Sequence, residues 1–453
     1  MQITFLGAAD AVTGSRHLID TGSSRILLDC GLFQGYKQLR ERNWAPLPVP
    51  AREIDAVVLS HAHLDHSGYL PALVRQGFRG HVHATPATCD LAELLLLDSA
   101  HIQEEDARHA NAHGYSKHRP ARPLYTVEDA RRALQRFRPR AFHQPLALDE
   151  RTTLEFIPAG HLLGAASVRL TVGERTLVFS GDLGRQGDLL MAPPERIGQA
   201  DVLLVESTYG DRLHPDDDPM QQLAAIITGT LDHGGSVLLP TFAVARAQAL
   251  MLALHRLKQA GRIPRQVPVY LDSPMAAEAT RVYAGHQDLL RVSPDEVQAM
   301  CEGVTMVTAP EASEELTRSH YPRIILSSSG MATGGRVLHH LKAMAPHAKH
   351  HIVFPGFQVP GSRGAALVGG AREVKIHGSY VPVRARVSHL EGFSGHADAD
   401  ELMQWLRSFG RPPRHTFVVH GEPQAADALR RRIQEELGWP HVHVPEHRST
   451  VRV

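Results

Sequence analysis

Cysteine is scarce in this chain of 453 residues, with three residues at widely separated positions, Cys30, Cys89 and Cys301. An odd number of distant cysteines argues against a disulfide framework, and it predicts a reducing, cytoplasmic setting. No apolar run approaches the roughly 18 residues of a membrane span. The first residues lack the basic and apolar regions of a secretory signal. The sequence therefore predicts a protein that neither spans a membrane nor depends on disulfides.

An excess of one charge is also missing, because Lys plus Arg and Asp plus Glu both total 48. Binding to a polyanion would then depend on a local basic patch and not on the field of the whole protein. Residues 108–140 contain such a patch, with nine Lys or Arg against the two acids Glu128 and Asp129. This surplus is enough to follow a phosphate backbone, although charge runs are also typical of solvated faces.

Histidine, in contrast, is abundant, with 30 residues in the chain. Histidine is the commonest metal ligand, so the positions of these residues carry the information. The sequence His61-Ala-His63-Leu-Asp65-His66 directly follows the strand-like run AVVLS. A strand that ends in a loop presents side chains to solvent from a rigid base. These potential ligands therefore indicate a metal site that can surround two ion positions.

Three further candidates stand at the ends of strand-like runs. They are His161 in PAGHLLG, Asp182 in FSGDLG and His420 in FVVHGE. Taken alone, each is more typical of a hydrogen-bonded surface group than of a ligand. Together with the first motif they supply five histidines and two aspartates. Imidazole and carboxylate ligands suit a pair of borderline ions such as Zn²⁺.

The order of predicted elements indicates an α/β protein with one module inserted into another. Residues 1–208 read mainly as short apolar strands, whereas residues 209–384 alternate strands with longer helices, as βαβ units do. From residue 385 the chain returns to the first style and carries the residues that complete the first site. We therefore predict domain segments 1–208, 209–384 and 385–453.

Other motifs narrow the assignment. Beside HAHLDH, His161, Asp182 and His420, they are the opening residues Gly7 to Ser15, LLDCG with Asp29, ESTYGDR (206–212), GMATGGR (330–336) and FSGHAD (393–398). This set, spread over the whole chain, resembles the β-CASP branch of the metallo-β-lactamase superfamily. That branch holds bacterial RNA-processing nucleases and the nuclease subunit of the eukaryotic pre-mRNA 3′-end cleavage machinery. The resemblance implies an αβ/βα four-layer sandwich with an inserted β-CASP α/β domain.

The resemblance also implies a role for each candidate residue. His61, His63 and His161 would hold one zinc ion, Asp65, His66 and His420 would hold the other, and Asp182 would bridge the two. His396 would be the general acid with Glu206 as its acidic partner, and Asp29 would orient a ligand through a hydrogen bond. The resemblance implies that Asp65 and Asp182 are catalytic residues as well as metal ligands. Substrate contacts are predicted in two Gly-rich segments, at Arg336, Ser362 and Arg363.

The predicted function is a cytoplasmic, zinc-dependent ribonuclease that hydrolyses phosphodiester bonds of single-stranded RNA with a hydroxide activated by two metals. The sequence leaves open whether Mn²⁺ or iron replaces zinc and whether cleavage is internal or proceeds from an end. A homodimer is compatible with the resemblance, and no membrane partner is expected. The alternatives are a thioester or lactam hydrolase, a DNA exonuclease of the same branch, and a non-catalytic RNA-processing scaffold. A histidine at position 420 resembles the RNA-acting members, and the complete ligand set argues against the scaffold.

Overall fold

The computed structural model of the protein describes residues 1–114 and 116–453. These residues form two compact units. The first comprises Met1–Gly187, Pro193–Leu213 and His396–Val453, and the second comprises Asp188–Ala192 and His214–Gly395. Residues 209–213 thus belong to the first unit and residues 385–395 to the second, while the predicted domain boundaries after residues 208 and 384 stay predictions.

The strands are numbered in chain order. They are β1 (Gln2–Gly7), β2 (Arg16–Asp20), β3 (Arg25–Leu28), β4 (Ala56–Val58), β5 (His81–Ala84), β6 (Phe137–Pro139), β7 (Leu146–Ala147), β8 (Thr152–Pro158), β9 (Ala166–Val172), β10 (Arg175–Phe179), β11 (Val202–Glu206), β12 (Val237–Pro240), β13 (Val269–Asp272), β14 (Thr305–Val307), β15 (Ile324–Ser327), β16 (His351–Pro355), β17 (Glu373–Ile376), β18 (Ser379–Pro382), β19 (Arg386–Leu390), β20 (His415–Val419), β21 (Val442–His443) and β22 (Thr450–Arg452).

The α-helices are distributed between these strands. They are α1 (Lys37–Glu41), α2 (Leu64–Ser67), α3 (Leu70–Arg75), α4 (Pro86–His113), α5 (Val127–Leu134), α6 (Pro219–Leu231), α7 (Arg246–Gln259), α8 (Pro274–Gly285), α9 (Pro294–Glu302), α10 (Pro310–Arg318), α11 (Val337–Met344), α12 (Arg363–Val368), α13 (Ala399–Leu406) and α14 (Pro423–Leu437). Within the described ranges, none of them combines the length and the apolar character needed to cross a bilayer.

The first unit is built on two sheets that share one apolar core. One sheet has the strand order β22-β1-β2-β3-β4-β5-β6 and the other β21-β20-β11-β10-β9-β8-β7. Alternate residues such as Ile3 and Phe5 of β1 pack against Phe156, Phe179 and Phe417 of the other sheet. Because successive side chains of a strand point to opposite faces, the apolar side chains on one face of each sheet lie in the shared core.

Helices cover the outer faces of both sheets. Leu73 of α3 and Leu96 of α4 pack on Val57 and Val82, which point away from the core between the sheets. On the other side, α14 lies against β20 and β21. The first unit thus has the helix–sheet–sheet–helix layering of a four-layer sandwich.

The second unit contains a parallel sheet with the strand order β14-β13-β15-β12-β16-β19 and a β17–β18 hairpin. Strands β12, β15 and β16 are buried along their whole length. Continuous apolar runs such as Ile324–Leu326 are typical of parallel strands covered on both faces. Helices α10 and α11 supply part of that cover, with Leu316 and Leu341 in the same core as Ile325.

A buried carboxylate organises one end of this parallel sheet. Strand β13 ends at Asp272, which is not exposed to solvent. Its Oδ1 accepts a hydrogen bond from Nη1 of Arg336 at 2.8 Å, and its Oδ2 accepts from Nε2 of His340 at 2.7 Å and from Oγ of Ser313 at 2.5 Å. Burial alone would raise the pKa of Asp272, but the hydrogen bonds from His340, Ser313 and Arg336 outweigh it and lower this pKa.

We expect Asp272→Asn to lower the free energy of unfolding by about 3–5 kcal/mol at pH 7, because it leaves the Arg336 guanidinium without its buried partner. The folded-state pKa of Asp272 is depressed, so its stabilisation is complete above the unfolded pKa of about 3.9 and disappears as the pH falls through the folded value. Denaturant unfolding at pH 7 and near pH 3 measures both effects. The exposed Asp216→Asn is the matched control, and equal stability of the two variants at pH 7 would contradict the expectation.

Candidate metal centre

The predicted ligands lie just beyond the carboxyl ends of strands of the first unit. Strand β4 ends at Val58, β8 at Pro158, β10 at Phe179 and β20 at Val419. The residues that follow these ends at once or after a short turn are His61, His161, Asp182 and His420. His63, Asp65 and His66 stand in the turn that leads into α2 and in α2 itself. Open α/β sheets commonly bind ligands at this edge.

Three histidines and one carboxylate oxygen form a first group. Nε2 of His61 lies 3.1 Å from Nδ1 of His63, and Nε2 of His161 lies 3.3 Å from the same Nδ1. Oδ2 of Asp182 is 3.6 Å from Nε2 of His61 and 3.7 Å from Nε2 of His161. One donor atom from each residue can thus face one point.

Asp65, His66 and His420 form a second group. The two Nε2 atoms of His66 and His420 are 2.9 Å apart, and Oδ2 of Asp65 lies 3.9 Å from the first and 3.6 Å from the second. Oδ1 of Asp182 is 3.4 Å from Nε2 of His66. The two oxygens of the Asp182 carboxylate therefore face different groups.

These distances fit metal ions. Ligands about 2.0–2.1 Å from a tetrahedral zinc lie about 3.3 Å from one another, close to the nitrogen separations in both groups. Neutral imidazole nitrogens that face each other with lone pairs repel unless a proton or a cation lies between them. In addition, the buried Oδ1 of Asp182 has no hydrogen-bond partner among the described residues, and a buried acceptor of this kind calls for a cation or donor. The donor set thus suits two cations that share Asp182.

Positive backbone φ angles orient two of these candidate ligands, Asp182 and His420, towards the site. Gly181, which precedes Asp182, has a φ of +56°, and a Cβ there would lie 2.8 Å from Cβ of Ser60 and 2.9 Å from the carbonyl oxygen of Ala166. His420 has a φ of +53°, a left-handed conformation that is rare outside glycine. Strained residues of this kind cluster at functional sites, where the surrounding structure holds them.

Burial and neighbouring charges divide the histidines into two kinds. Burial is the largest cause that lowers the pKa of His61, and it lowers the pKa of His63 to about 4. Both rings are therefore neutral at pH 7, as a metal ligand must be. For His66 burial acts in the same direction, but the Asp182 and Asp29 carboxylates outweigh it and raise the pKa. Without a metal ion, a proton on His66 partly neutralises the negative charge of the neighbouring carboxylates. A bound cation would neutralise the same charge.

Asp29 contacts His66 on the side of the ring that faces away from the second group. Its Oδ2 is 2.7 Å from Nδ1 of His66, so the ring's Nε2 is directed at the second group. Asp29 is held in turn by Oγ of Ser15 at 3.0 Å and by the main-chain N–H of Ser60 at 2.7 Å. A carboxylate in this place fixes the tautomer and orientation of a ligating histidine.

Three small polar residues around the ligands were not predicted from the sequence. Ser15 and Ser60 bind Asp29, and Oγ1 of Thr208 lies 3.1 Å from Nδ1 of His420. Each stands in or beside one of the motifs named above, and Ser60 directly precedes a ligand. A hydroxyl at a strand end beside a candidate ligand was the signal that could have identified them.

His396 and Glu206 meet beside the first group. Nδ1 of His396 lies 3.3 Å from Oε1 of Glu206 and 3.9 Å from Oδ2 of Asp182. Glu206 is fully buried and accepts hydrogen bonds from the main-chain N–H groups of Leu183 at 2.7 Å and Thr208 at 3.1 Å. Burial opposes charging of His396, but the Glu206 and Asp182 carboxylates outweigh it and raise the pKa of His396.

The three predicted substrate residues lie in the second unit and make hydrogen bonds within it. Arg336 is the partner of Asp272 described above. Nε of Arg363 donates to the carbonyl oxygen of Lys375 at 3.0 Å, and Ser362 is the N-cap of α12. Each of these side chains therefore stabilises the second unit through a hydrogen bond. A substrate contact at any of them stays a prediction.

The basic stretch 108–140 belongs to the first unit and is partly neutralised there. Arg132 pairs with Glu128 at 3.2 Å on α5, and Arg108 pairs with Glu105 on α4. Arg138 and Arg140 at the edge strand β6 are exposed. Tyr115, inside this stretch, lies outside the described residues. The exposed cations along β6 are thus available to a polyanion.

Comparisons with known proteins match the whole chain. Family models match residues 11–226 (metallo-beta-lactamase superfamily), 247–367 (Beta-Casp domain) and 380–445 (Zn-dependent metallo-hydrolase RNA specificity domain). Ribonuclease TTHA0252 of Thermus thermophilus is 42% identical over 439 residues, which cover 95% of each chain. The chain belongs to the β-CASP branch of the metallo-β-lactamase superfamily.

Further relatives agree with this membership. Transcription termination factor FttA of Methanocaldococcus jannaschii is 30% identical, and the match covers 100% of this chain and 72% of the relative. A solved structure of a protein of unknown function from Enterococcus faecalis V583 aligns with a TM-score of 0.54 over 99% of both chains, at 13% identity, and shows the fold alone. The predicted family and the α/β sandwich with an inserted β-CASP domain are confirmed. This β-CASP protein is a metal-dependent hydrolase.

Proposed function

We propose that this β-CASP protein is a cytoplasmic, zinc-dependent ribonuclease that hydrolyses phosphodiester bonds of single-stranded RNA. The observation that carries the proposal is the Asp182 carboxylate, whose two oxygens face two separate ligand groups while His396 and Glu206 lie beside it. A hydrolase of lactams or thioesters has no need of a His–Glu pair at this position. The arrangement suits a reaction in which a charged phosphate is attacked and an alkoxide must be protonated.

His61, His63 and His161 would hold one ion, Asp65, His66 and His420 would hold the other, and Asp182 would contact both. When bound, such a pair lowers the pKa of water towards neutrality and neutralises charge on the phosphate oxygens. Mn²⁺ or iron fits the same nitrogen and oxygen donors, so the ligands alone do not select zinc.

We assign His396 the role of the general acid that protonates the leaving ribose oxygen. Glu206 accepts at Nδ1 of His396, which makes Nε2 the ring atom that would give a proton to the departing ribose oxygen. Burial opposes charging of His396, but the carboxylates of Glu206 and Asp182 raise its pKa, which favours the protonated ring that a general acid needs. Glu206 is itself fixed by two main-chain N–H groups and positions the imidazole.

RNA is favoured as the substrate by the relatives and by the surface charge. The family model that matches residues 380–445 describes an RNA specificity domain, and a relative of 42% identity carries the name ribonuclease. Exposed Arg138 and Arg140 offer phosphate contacts within a protein of zero net charge. An unpaired strand presents both its bases and its 2′-hydroxyls, which distinguish RNA from DNA.

The test combines metal analysis with matched substrates. We expect the purified protein to contain about two equivalents of metal and to cleave an end-labelled single-stranded RNA at least about tenfold faster than the same RNA in a duplex or the DNA of that sequence. The sizes of the products over time distinguish internal cleavage from cleavage at an end. Absence of metal, or equal rates on RNA and DNA, would overturn the proposal.

A further inference from the structure

A second cavity of the first unit lies outside the metal centre. It has a volume of about 350 Å³ and is lined by the side chains of Arg16, Phe33, Arg42, His447 and Arg448 together with apolar residues such as Leu47. We call it the Arg16 pocket. None of its lining residues is a ligand in either histidine group. The Arg16 pocket therefore shares no residue with the two histidine groups.

The guanidinium of Arg16 is buried, and no carboxylate among the described residues pairs with it. Arg16 is 2% exposed, and its donors Nε and Nη2 bind neutral oxygens, the carbonyl of Gly31 at 2.7 Å and Oδ1 of Asn43 at 3.0 Å. Its central carbon lies 3.8 Å from the ring centroid of Tyr69 and 5.1 Å from that of Phe33. Burying a charge without a counter-ion is costly, so this guanidinium favours an anion nearby.

The remaining polar walls of the pocket are also cationic. Among the described residues that line it, Arg16, Arg42 and Arg448 are basic, whereas Glu41 is the one acid and lies 3.5 Å from the amine of Lys37. Arg42 pairs with Asp10 at 3.2 Å, outside the lining. The pocket thus carries a net positive charge inside a protein whose total charge is zero.

His447 lies among these cations. Burial lowers its pKa to about 4, and Arg42, Arg448 and Arg16 add to this effect, while Asp10 opposes it. The imidazole is therefore neutral at pH 7, and its buried Nδ1 has no hydrogen-bond partner among the described residues. The ring stands edge-on to Phe33, with 5.9 Å between the centroids.

Arg448, which lines the pocket, has a strained backbone conformation. Its φ is +67°, in the left-handed region, and its main-chain N–H donates to the carbonyl of Phe5 at 2.7 Å. Nη2 of Arg448 donates to the carbonyl of Pro46 at 3.3 Å. Non-glycine residues in this region persist where the surrounding structure over-determines them, and they concentrate at binding sites.

We propose that the Arg16 pocket binds a phosphomonoester of nucleotide size, with its phosphate facing Arg42, Arg448 and His447 and its planar ring against Leu47, Pro46 and Pro48. Charge-assisted hydrogen bonds from guanidinium groups are the strongest available to a phosphate. The aliphatic lining formed by Leu47, Pro46 and Pro48 suits the face of a flat, weakly polar ring. Inorganic phosphate would contact only the cationic part of this pocket, and a nucleoside would contact only its apolar part.

The probes are 5′-AMP, inorganic phosphate and adenosine, titrated calorimetrically into the metal-loaded protein. We expect 5′-AMP to bind at one site and at least about tenfold more tightly than phosphate or adenosine. Arg42→Gln and Arg448→Gly should each weaken binding of 5′-AMP by about tenfold or more. Glycine adopts the positive φ of residue 448 without strain, so the second variant removes the guanidinium and keeps the backbone. Arg40→Gln, an exposed arginine on the same helix as Glu41, is the matched control and should bind as the parent does.

The nuclear magnetic resonance titration of the His447 ring protons supplies a second readout. A bound phosphate dianion stabilises the imidazolium, so saturation with 5′-AMP should raise the pKa of His447 from its low value. Binding of 5′-AMP that persists undiminished in both arginine variants would place the nucleotide elsewhere and overturn the proposal. An unchanged His447 titration at saturation, or no heat up to millimolar 5′-AMP, would overturn it as well.

Discussion

Asp182→Asn is expected to lower hydrolysis of single-stranded RNA by about 10³-fold or more, because the two proposed cations would lose the carboxylate that both would contact. Asparagine keeps the volume of the side chain but offers one neutral oxygen in place of two charged ones. That oxygen can face the group of His61 or the group of His66, and not both. The variant should therefore also lose at least one metal equivalent in elemental analysis.

The matched control for this experiment is Asp90→Asn, the same substitution at an exposed aspartate of α4. It should keep the metal content and the RNA cleavage rate of the parent. Circular dichroism of both variants checks that the fold is retained. Full metal occupancy together with the parental rate in Asp182→Asn would contradict the bridging role and with it the proposed arrangement of the centre.

His396→Ala is expected to retain both metals and to lose about 10²–10⁴-fold in RNA cleavage, because the leaving ribose oxygen then departs without a proton donor. His396 lies outside the two groups His61–His63–His161 and Asp65–His66–His420, although it could form a further ligand set with Asp182 and Glu206. Elemental analysis of the variant therefore tests the expected retention of both metals. The loss should depend on the substrate. A phosphodiester with a p-nitrophenol leaving group departs as a stable anion and needs no proton, so the variant should hydrolyse it at close to the parental rate.

Two further variants make this test specific. Glu206→Gln should show a smaller loss on RNA, since the ring remains but its tautomer and charge are less well fixed. His101→Ala, an exposed histidine of α4, should behave as the parent on both substrates. If His396→Ala lost activity on the p-nitrophenyl ester as severely as on RNA, the residue would serve the metal centre and not the leaving group.

Much of the local structure could be predicted because it depends on neighbouring residues. The apolar runs at residues 3–7 and 16–20 predict short strands, and β1 (Gln2–Gly7) and β2 (Arg16–Asp20) occupy these positions. The run RILLDCG predicts a strand over 25–31, but β3 ends at Leu28 since Asp29 takes a φ of +58°. That turn brings Oδ2 of Asp29 to 2.7 Å from Nδ1 of His66, so the strand ends where this contact begins.

The types of the candidate ligands, their place at strand ends and the family could be read from the amino-acid order alone, because these follow from short motifs and from the periodicity of neighbouring residues. Which of these side chains contact each other depends instead on the folded chain. His66 and His420 stand 354 positions apart and contact each other because β4 and β20 end at the same edge of the sandwich. The division of the Asp182 oxygens and the cationic Arg16 pocket likewise arise from long-range packing, which no local pattern of residues encodes.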